Sequence, residues 1–285
     1  MFWEKLKNNE RWLVIAMMVA GAVLMTLKIA DNFVDKDGLT MVDHPVNQLI
    51  VGLRTPALNK LMLLITVTGN WQMVIWGTLL AAILLIAAKK RRYLMAMLIS
   101  NGVGVAFITL AKTWIGRERP PVEIALLSEH GFAFPSGHSY FAVVFYGLLA
   151  YFWAKHLHKH WEKILMVGLG GGFVLILAFS RIYLGVHWTT DVLAGLSISL
   201  AWLGVTIAYL EYKDHFFSPE KEYFNRQRVW LGFWLFGGLW LLVLGLMYYR
   251  SVSTLGTKMI KPIKAEATAM TITAPAARSR GSLVA

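Results

Sequence analysis

The chain has 285 residues, 57% hydrophobic and only 15% charged, with a formal net charge of +12. A soluble domain carries about 45–50% apolar and about 25% charged residues, so an ordinary soluble enzyme is excluded. The absence of cysteine further excludes disulfides, thiolate metal sites and cysteine nucleophiles.

The apolar excess falls in continuous runs, long enough to cross a bilayer at about 20 residues each. Barrel strands would alternate instead. The predicted fold class is therefore all-α, a polytopic membrane helix bundle. In a soluble protein the positive charge would raise nucleic acid as a partner. Here it reads as loop charge that sets topology, and no nucleic-acid partner is expected.

Residues 1–11 are basic and aromatic, with Phe2 and Trp3, and resemble an interfacial flank. Trp12–Ala30 is predicted as an uncleaved first span, because it exceeds a signal-peptide core and lacks a small-residue cleavage site. A polar stretch, 31–60, contains Asp31, Asp35, Asp37 and Asp43, and Val46–Leu53 is expected to lie on the membrane as a short helix. The second span is placed at Leu61–Ala88, with Asn70 and Gln72 read as polar residues packed between spans. After the basic turn Lys89–Arg92 the third span covers Tyr93–Trp114. The polar loop 115–137 leads to a fourth span, His138–Trp153, a basic turn, and a fifth span, Ile164–Tyr183. Glycines 168, 170, 171 and 172 near its start read as close-packing positions. His156, His158 and His160 read as a solvated basic turn. The sixth span is placed at Trp188–Leu210.

These boundaries divide the chain into a six-span core, 1–210, a cytoplasmic linker, 211–228, an extra C-terminal span, 229–249, and a tail, 250–285, with the composition of disorder. Lys and Arg number 14 in the connections on the N-terminal side and seven on the other, through the sixth span. Cytoplasmic loops carry the basic excess, so the N-terminus is predicted to be cytoplasmic.

Three polar clusters then share the extracytoplasmic end. The first, Lys112-Thr-Trp-Ile-Gly-Arg-Glu-Arg119-Pro120, closes the third span. Its cations equally fit snorkelling anchors at a span end. The second, Pro135-Ser136-Gly137-His138, opens the fourth span. Ser136 suits an N-cap, and the free N–H groups of a helix start favour an anion, though many helices begin this way. The third joins Ser180-Arg181 to His187 and Asp191. His187 and Asp191 are four apart, on one helical face. A carboxylate there can take the Nδ1 proton and leave Nε2 to attack, or merely order a loop. Arg181 offers a planar fork for phosphate oxygens.

Together, Lys-x6-Arg-Pro, Pro-Ser-Gly-His and Ser-Arg-x5-His-x3-Asp resemble the phosphatidic acid phosphatase type 2 superfamily, in its bacterial membrane lipid phosphatase branch. The motifs lie within 112–191, and the six-span pattern extends the resemblance over roughly 1–210. The seventh run and the tail are not covered. The resemblance implies that His187 forms a phosphohistidine, Asp191 orients it, and His138 protonates the leaving oxygen. Lys112, Arg119, Arg181, Ser136 and the Gly137 backbone would hold the phosphate; Ser180 has no assigned role. No carboxylate cluster for a divalent cation accompanies the motifs, so neither a metal nor another cofactor is expected.

The predicted activity is hydrolysis of the terminal phosphate of a lipid phosphate or diphosphate, of the undecaprenyl diphosphate, phosphatidylglycerol phosphate or phosphatidate type. It would take place at the outer side of the cytoplasmic membrane, with substrate and membrane lipids as partners. A phosphotransferase using the same intermediate, or a binding or transport protein with a phosphate pocket, is the alternative. The superfamily's haloperoxidases are soluble, which the spans here oppose.

Overall fold

The computed structural model describes residues 40–157, 159–217, 231–232 and 234–249, with most of 13–28. The N-terminal flank, residues 31–39 of the first polar stretch, residues 218–228 of the linker and the tail lie outside the described residues, as does His158. Every regular element described is helical.

A first helix, α1, falls within 13–28. A single 3₁₀ turn, Thr40–Val42, leads into α2, Asp43–Gly52. This is the short helix expected from the sequence, but it begins at Asp43, which is buried, as are Asn47 and Ile50. It therefore packs into the protein along one face.

The predicted second span is two helices. α3, Pro56–Val67, starts with proline at N1 and with Thr55 as N-cap, whose hydroxyl accepts from Leu58 N at 3.3 Å. α4, Trp71–Ala87, follows a three-residue break at an angle of 50°. Both halves are apolar, so hydropathy alone runs straight through the bend.

α5, Arg91–Ile115, is long and apolar enough to span. It ends because Gly116 takes the left-handed conformation (φ 62°) and bonds back to Lys112 O at 2.9 Å, a conformation glycine adopts without Cβ strain. The predicted fourth span is a continuous helical run in three pieces: α6, Gly137–Phe141, a π turn, Ala142–Tyr146, and α7, Gly147–His156. α8, His160–Tyr183, and α9, Thr189–Phe217, are the other two long apolar helices. α9 continues past the predicted end of the sixth span. Trp234–Tyr249, α10, is a shorter apolar helix of about 24 Å.

All described elements up to Leu244 belong to one compact unit. Its centre is a cluster around Met97, Tyr140, Val144, Phe145 and Leu148. Packing there uses small residues: a Cβ at Gly104 would collide with the Tyr140 ring, and one at Gly77 with Phe145 and Trp240. Such positions let helices approach closely in a bilayer, where association rests on van der Waals packing and interhelical hydrogen bonds. Ser100 pairs with Thr206 at 3.1 Å, and Asn101 donates to Thr78 at 3.2 Å, tying α5 to α9 and α4. The glycines of α8 differ from expectation. Among the described residues only Gly170 faces a close neighbour, Ala150, while Gly168, Gly171 and Gly172 meet none within 4 Å; among these residues they do not form a packing seam as a set.

Candidate active site

The three polar clusters meet at one end of the bundle. The C-terminus of α5, the loop 116–136 and the start of α6 face the last turn of α8 and the first turn of α9. Two backbone hydrogen bonds stitch this end together: Ser136 N donates to Asp191 O at 3.0 Å, and Leu126 N to Leu184 O at 2.9 Å. Gly185, at φ 71°, makes the tight turn after α8. A Cβ there would strike the Ile124 carbonyl, so this turn tolerates no larger residue.

His187 stands in the α8–α9 connection and is 2% exposed. Its Nδ1 faces Asp191 Oδ2 at 3.4 Å, and its Nε2 lies 3.3 Å from Arg119 Nη1. An arginine only donates, so Nε2 carries the lone pair and Nδ1 the proton. Asp191 is further fixed by Trp188 N at 2.8 Å and by Arg117 Nη1 at 2.5 Å. Burial, then Arg181, Arg119 and Lys112, holds the His187 imidazole well below its ordinary pKa. The ring is thus neutral near pH 7.

The cations surround it. Arg119 donates to the carbonyls of Val186 at 2.7 Å and Gly131 at 2.9 Å. Lys112 Nζ donates to Phe132 O at 2.5 Å. Arg181 is fully buried in the last turn of α8. Its two Nη groups donate to Thr66 Oγ1 and Glu129 Oε1, and among the described residues its Nε has no partner. Burying an unpaired guanidinium donor is costly, and an anion at this position would satisfy it.

Glu129, in the loop, occupies part of that space. It pairs with Arg181 and lies 3.4 Å from Arg119. Burial alone would raise its carboxyl, but Arg181, His138 and Arg119 hold it well below the usual carboxylate range. It is therefore an anion resting on two of the cations predicted to hold phosphate.

Ser136 caps α6: its Oγ accepts from Ser139 N at 3.4 Å and from Ser139 Oγ at 3.0 Å. The N–H groups of Gly137 and His138 precede the first bonded N–H of that helix and have no intrahelical acceptor. A Cβ at Gly137 would make only ordinary contact with Ile108, so its value there is not forced by sterics. His138 Nε2 meets Asn70 Oδ1 at 2.8 Å. Ser180 donates to Leu177 O, within its own helix.

All eight predicted site residues thus gather at this end, and several partners join them that the sequence reading left out. Asp43, at the start of α2, accepts from Thr190 N at 2.9 Å, Thr190 Oγ1 at 2.6 Å and Arg117 Nη2 at 2.5 Å. Arg117 therefore links two buried carboxylates, Asp43 and Asp191. Arg117 sits inside the first motif but was given no role. Asp43 carries a weak signal, as an acid at the head of a short apolar helix. Glu129, Thr66 and Thr190 carry none, being single polar residues in polar or ordinary surroundings.

The PAP2 superfamily model matches residues 90–215, which contain the three motifs but not Asp43, Thr66 or Asn70. The chain is 35% identical to phosphatidylglycerophosphatase B of Bacillus subtilis (strain 168) over 166 residues, 55% of this chain and 78% of that protein. It is 28% identical to lipid phosphate phosphatase delta of Arabidopsis thaliana over 93 residues, 32% of this chain and 22% of that protein. A solved structure, the transmembrane PAP2 type phosphatidylglycerolphosphate phosphatase from Bacillus subtilis, is similar with a TM-score of 0.61 and 29% identity. That match covers 71% of this chain and 98% of the solved one.

Proposed function

The chain belongs to the PAP2 superfamily, and from that premise we propose that it is an integral membrane lipid phosphatase. Its substrate is the terminal phosphate of a lipid phosphate or diphosphate, of the phosphatidylglycerol phosphate, undecaprenyl diphosphate or phosphatidate type. The observation that carries this reading is the environment of His187: Nδ1 toward Asp191, the Nε2 lone pair toward Arg119, and the whole ring buried among cations. A binding site for phosphate would need the cations but not an oriented, neutral imidazole.

The chemistry follows from the geometry. Lys112, Arg119 and Arg181, with the free N–H groups at the start of α6, take the nonbridging phosphate oxygens. Phosphoryl transfer depends mainly on such charge compensation and on in-line positioning. The His187 Nε2 lone pair forms an N–P bond as the P–O bond to the lipid breaks. His138 gives its proton to the departing oxygen. Asp191 stabilises the charge that the His187 ring acquires. In the second half, water attacks phosphorus, His138 recovers a proton from that water, and the N–P bond breaks to release phosphate and neutral His187. Arg117 and Asp43 hold Asp191 and the start of α9. The basic excess on the opposite loops supports an extracytoplasmic site in the cytoplasmic membrane, with a cytoplasmic N-terminus.

The test is phosphate release by the purified protein from a panel of lipid phosphates, beside His187→Ala. Turnover by the wild type on at least one lipid and none by the variant is expected. Lipid binding by both proteins with no turnover by either contradicts the reading.

A further inference from the structure

The break between α3 and α4, residues 68–70, lies outside every motif yet presses on the active site. Asn70 is in the N-cap position of α4 with extended backbone (ψ 145°), but its side chain makes no capping bond to that helix. Asparagine is among the strongest N-cap residues, so the missing bond is informative. The amide is used elsewhere: Oδ1 meets His138 Nε2 at 2.8 Å. Two neighbours hold the break in place. Tyr146, closing the π turn after His138, donates to Thr68 O at 2.9 Å. Gly69 lies so close that a Cβ there would stand 3.0 Å from His138 Cδ2 and 2.9 Å from Leu177 Cδ2.

We infer that Asn70 is the positioning residue for His138: its amide oxygen receives the Nε2 proton, leaving Nδ1 to give and take the proton of the reaction. This rests on the reading of His138 as general acid. An imidazolium carries protons on both nitrogens, so only the oxygen of the amide can face it at Nε2. Among the described residues, Nδ1 has no hydrogen-bond partner. Asn70 stays bonded through the cycle while Nδ1 alternates between donor and acceptor. The amide also supplies a neutral acceptor where the other facing groups are charged or titratable: Arg181 from α8, His187 from the α8–α9 connection, and Glu129 and Arg119 from the loop. The 50° bend thus has a chemical use, since a straight helix would carry Asn70 past the ring.

The experiment compares wild type, Asn70→Leu and Asn70→Asp, as purified full chains, on phosphatidate and on p-nitrophenyl phosphate. The nitrophenolate leaves without a proton; the alkoxide of phosphatidate does not. General-acid catalysis contributes about 10²–10⁴-fold. Misplacing the acid is expected to lower kcat/KM, which reports the steps through departure of the leaving group, about 10–100-fold on phosphatidate in Asn70→Leu, with kcat/KM for p-nitrophenyl phosphate changed by less than about 3-fold. Asn70→Asp keeps the acceptor and adds charge, so most activity on phosphatidate should return. The alkaline limb of its pH profile should move up by about one unit or more. Equal losses of kcat/KM on both substrates overturn the inference, as does an Asn70→Asp profile with the wild-type alkaline limb. Wild-type protein inactive on both substrates overturns the phosphatase reading itself and the acid role of His138 with it.

Discussion

Asp43 offers the sharpest perturbation of the support beneath the site. It is 1% exposed and accepts three hydrogen bonds, two from Thr190 and one from Arg117. Asp43→Ala removes the carboxylate that accepts from Arg117 Nη2 and from two Thr190 donors. Breaking a buried ion pair from one side costs about 3–5 kcal/mol, and losing an acceptor at the start of a helix adds about 1 kcal/mol. Asp43→Asn retains an oxygen for Thr190 N but not the charge facing Arg117, so about 1.5–3 kcal/mol is expected. At about 2–4 °C per kcal/mol, the asparagine variant should unfold about 3–12 °C below wild type. The effect on turnover has a separate cause. Arg117 divides itself between Asp43 and Asp191, and without Asp43 it collapses onto Asp191 and competes with His187. Displacing a reacting group by about 1 Å can cost about 100-fold; a loss of about 10-fold in kcat with little change in KM is expected for Asp43→Asn, because the phosphate cations are untouched. Thermal unfolding in detergent and phosphate release measure the two effects. An Asp43→Asn protein with wild-type Tm and kcat refutes the reasoning. A cycle with Arg117→Leu should show strong coupling, since the two residues share one ion pair.

Three further outcomes follow from the same geometry. Glu129→Gln removes an anion that rests on Arg181 and Arg119, so inorganic phosphate should inhibit about 10-fold more tightly, in line with the loss of one competing charge; an unchanged inhibition constant shows that Glu129 does not contest the phosphate position. The His187 pKa is depressed by burial and by Arg181, Arg119 and Lys112, so the ring stays neutral until pH falls well below about 6.5, and the acid limb of kcat/KM should lie there. Arg119→Gln removes one cation and should move that limb upward; a downward or absent shift contradicts the electrostatic argument. Cations and a helix N-terminus supply the charge compensation, so phosphate release should survive strong chelation, and loss with EDTA restored by Mg²⁺ would oppose this.

The spans and the site were legible for different reasons. Apolar runs marked α5, α8 and α9 to within a few residues, apart from the extension of α9, because span length is imposed by the bilayer. The 50° break at 68–70 was invisible: composition is the same on both sides, and Asn70 looked like one more polar residue between spans. The three motifs were readable from residue type, order and spacing, and they do converge. Their supports were not readable. Asp43 and Thr190 are 147 residues apart, and Arg181 and Glu129 are 52 apart. A single acid in a polar stretch gives no sign of which distant cation it will meet. Only the folded chain pairs Asp43 with Arg117, Glu129 with Arg181, and Asn70 with His138.

The central claim is that His187 Nε2 carries the phosphoryl group. The direct measurement is an alkaline quench of turnover on lipid substrate labelled in its terminal phosphate, followed by mapping of the label on the protein. The phosphoryl group is expected on His187, absent from His187→Ala and present in His138→Ala, whose phosphoenzyme should break down more slowly. Label on any other residue, or His187→Ala protein that turns over at the wild-type rate, contradicts the account.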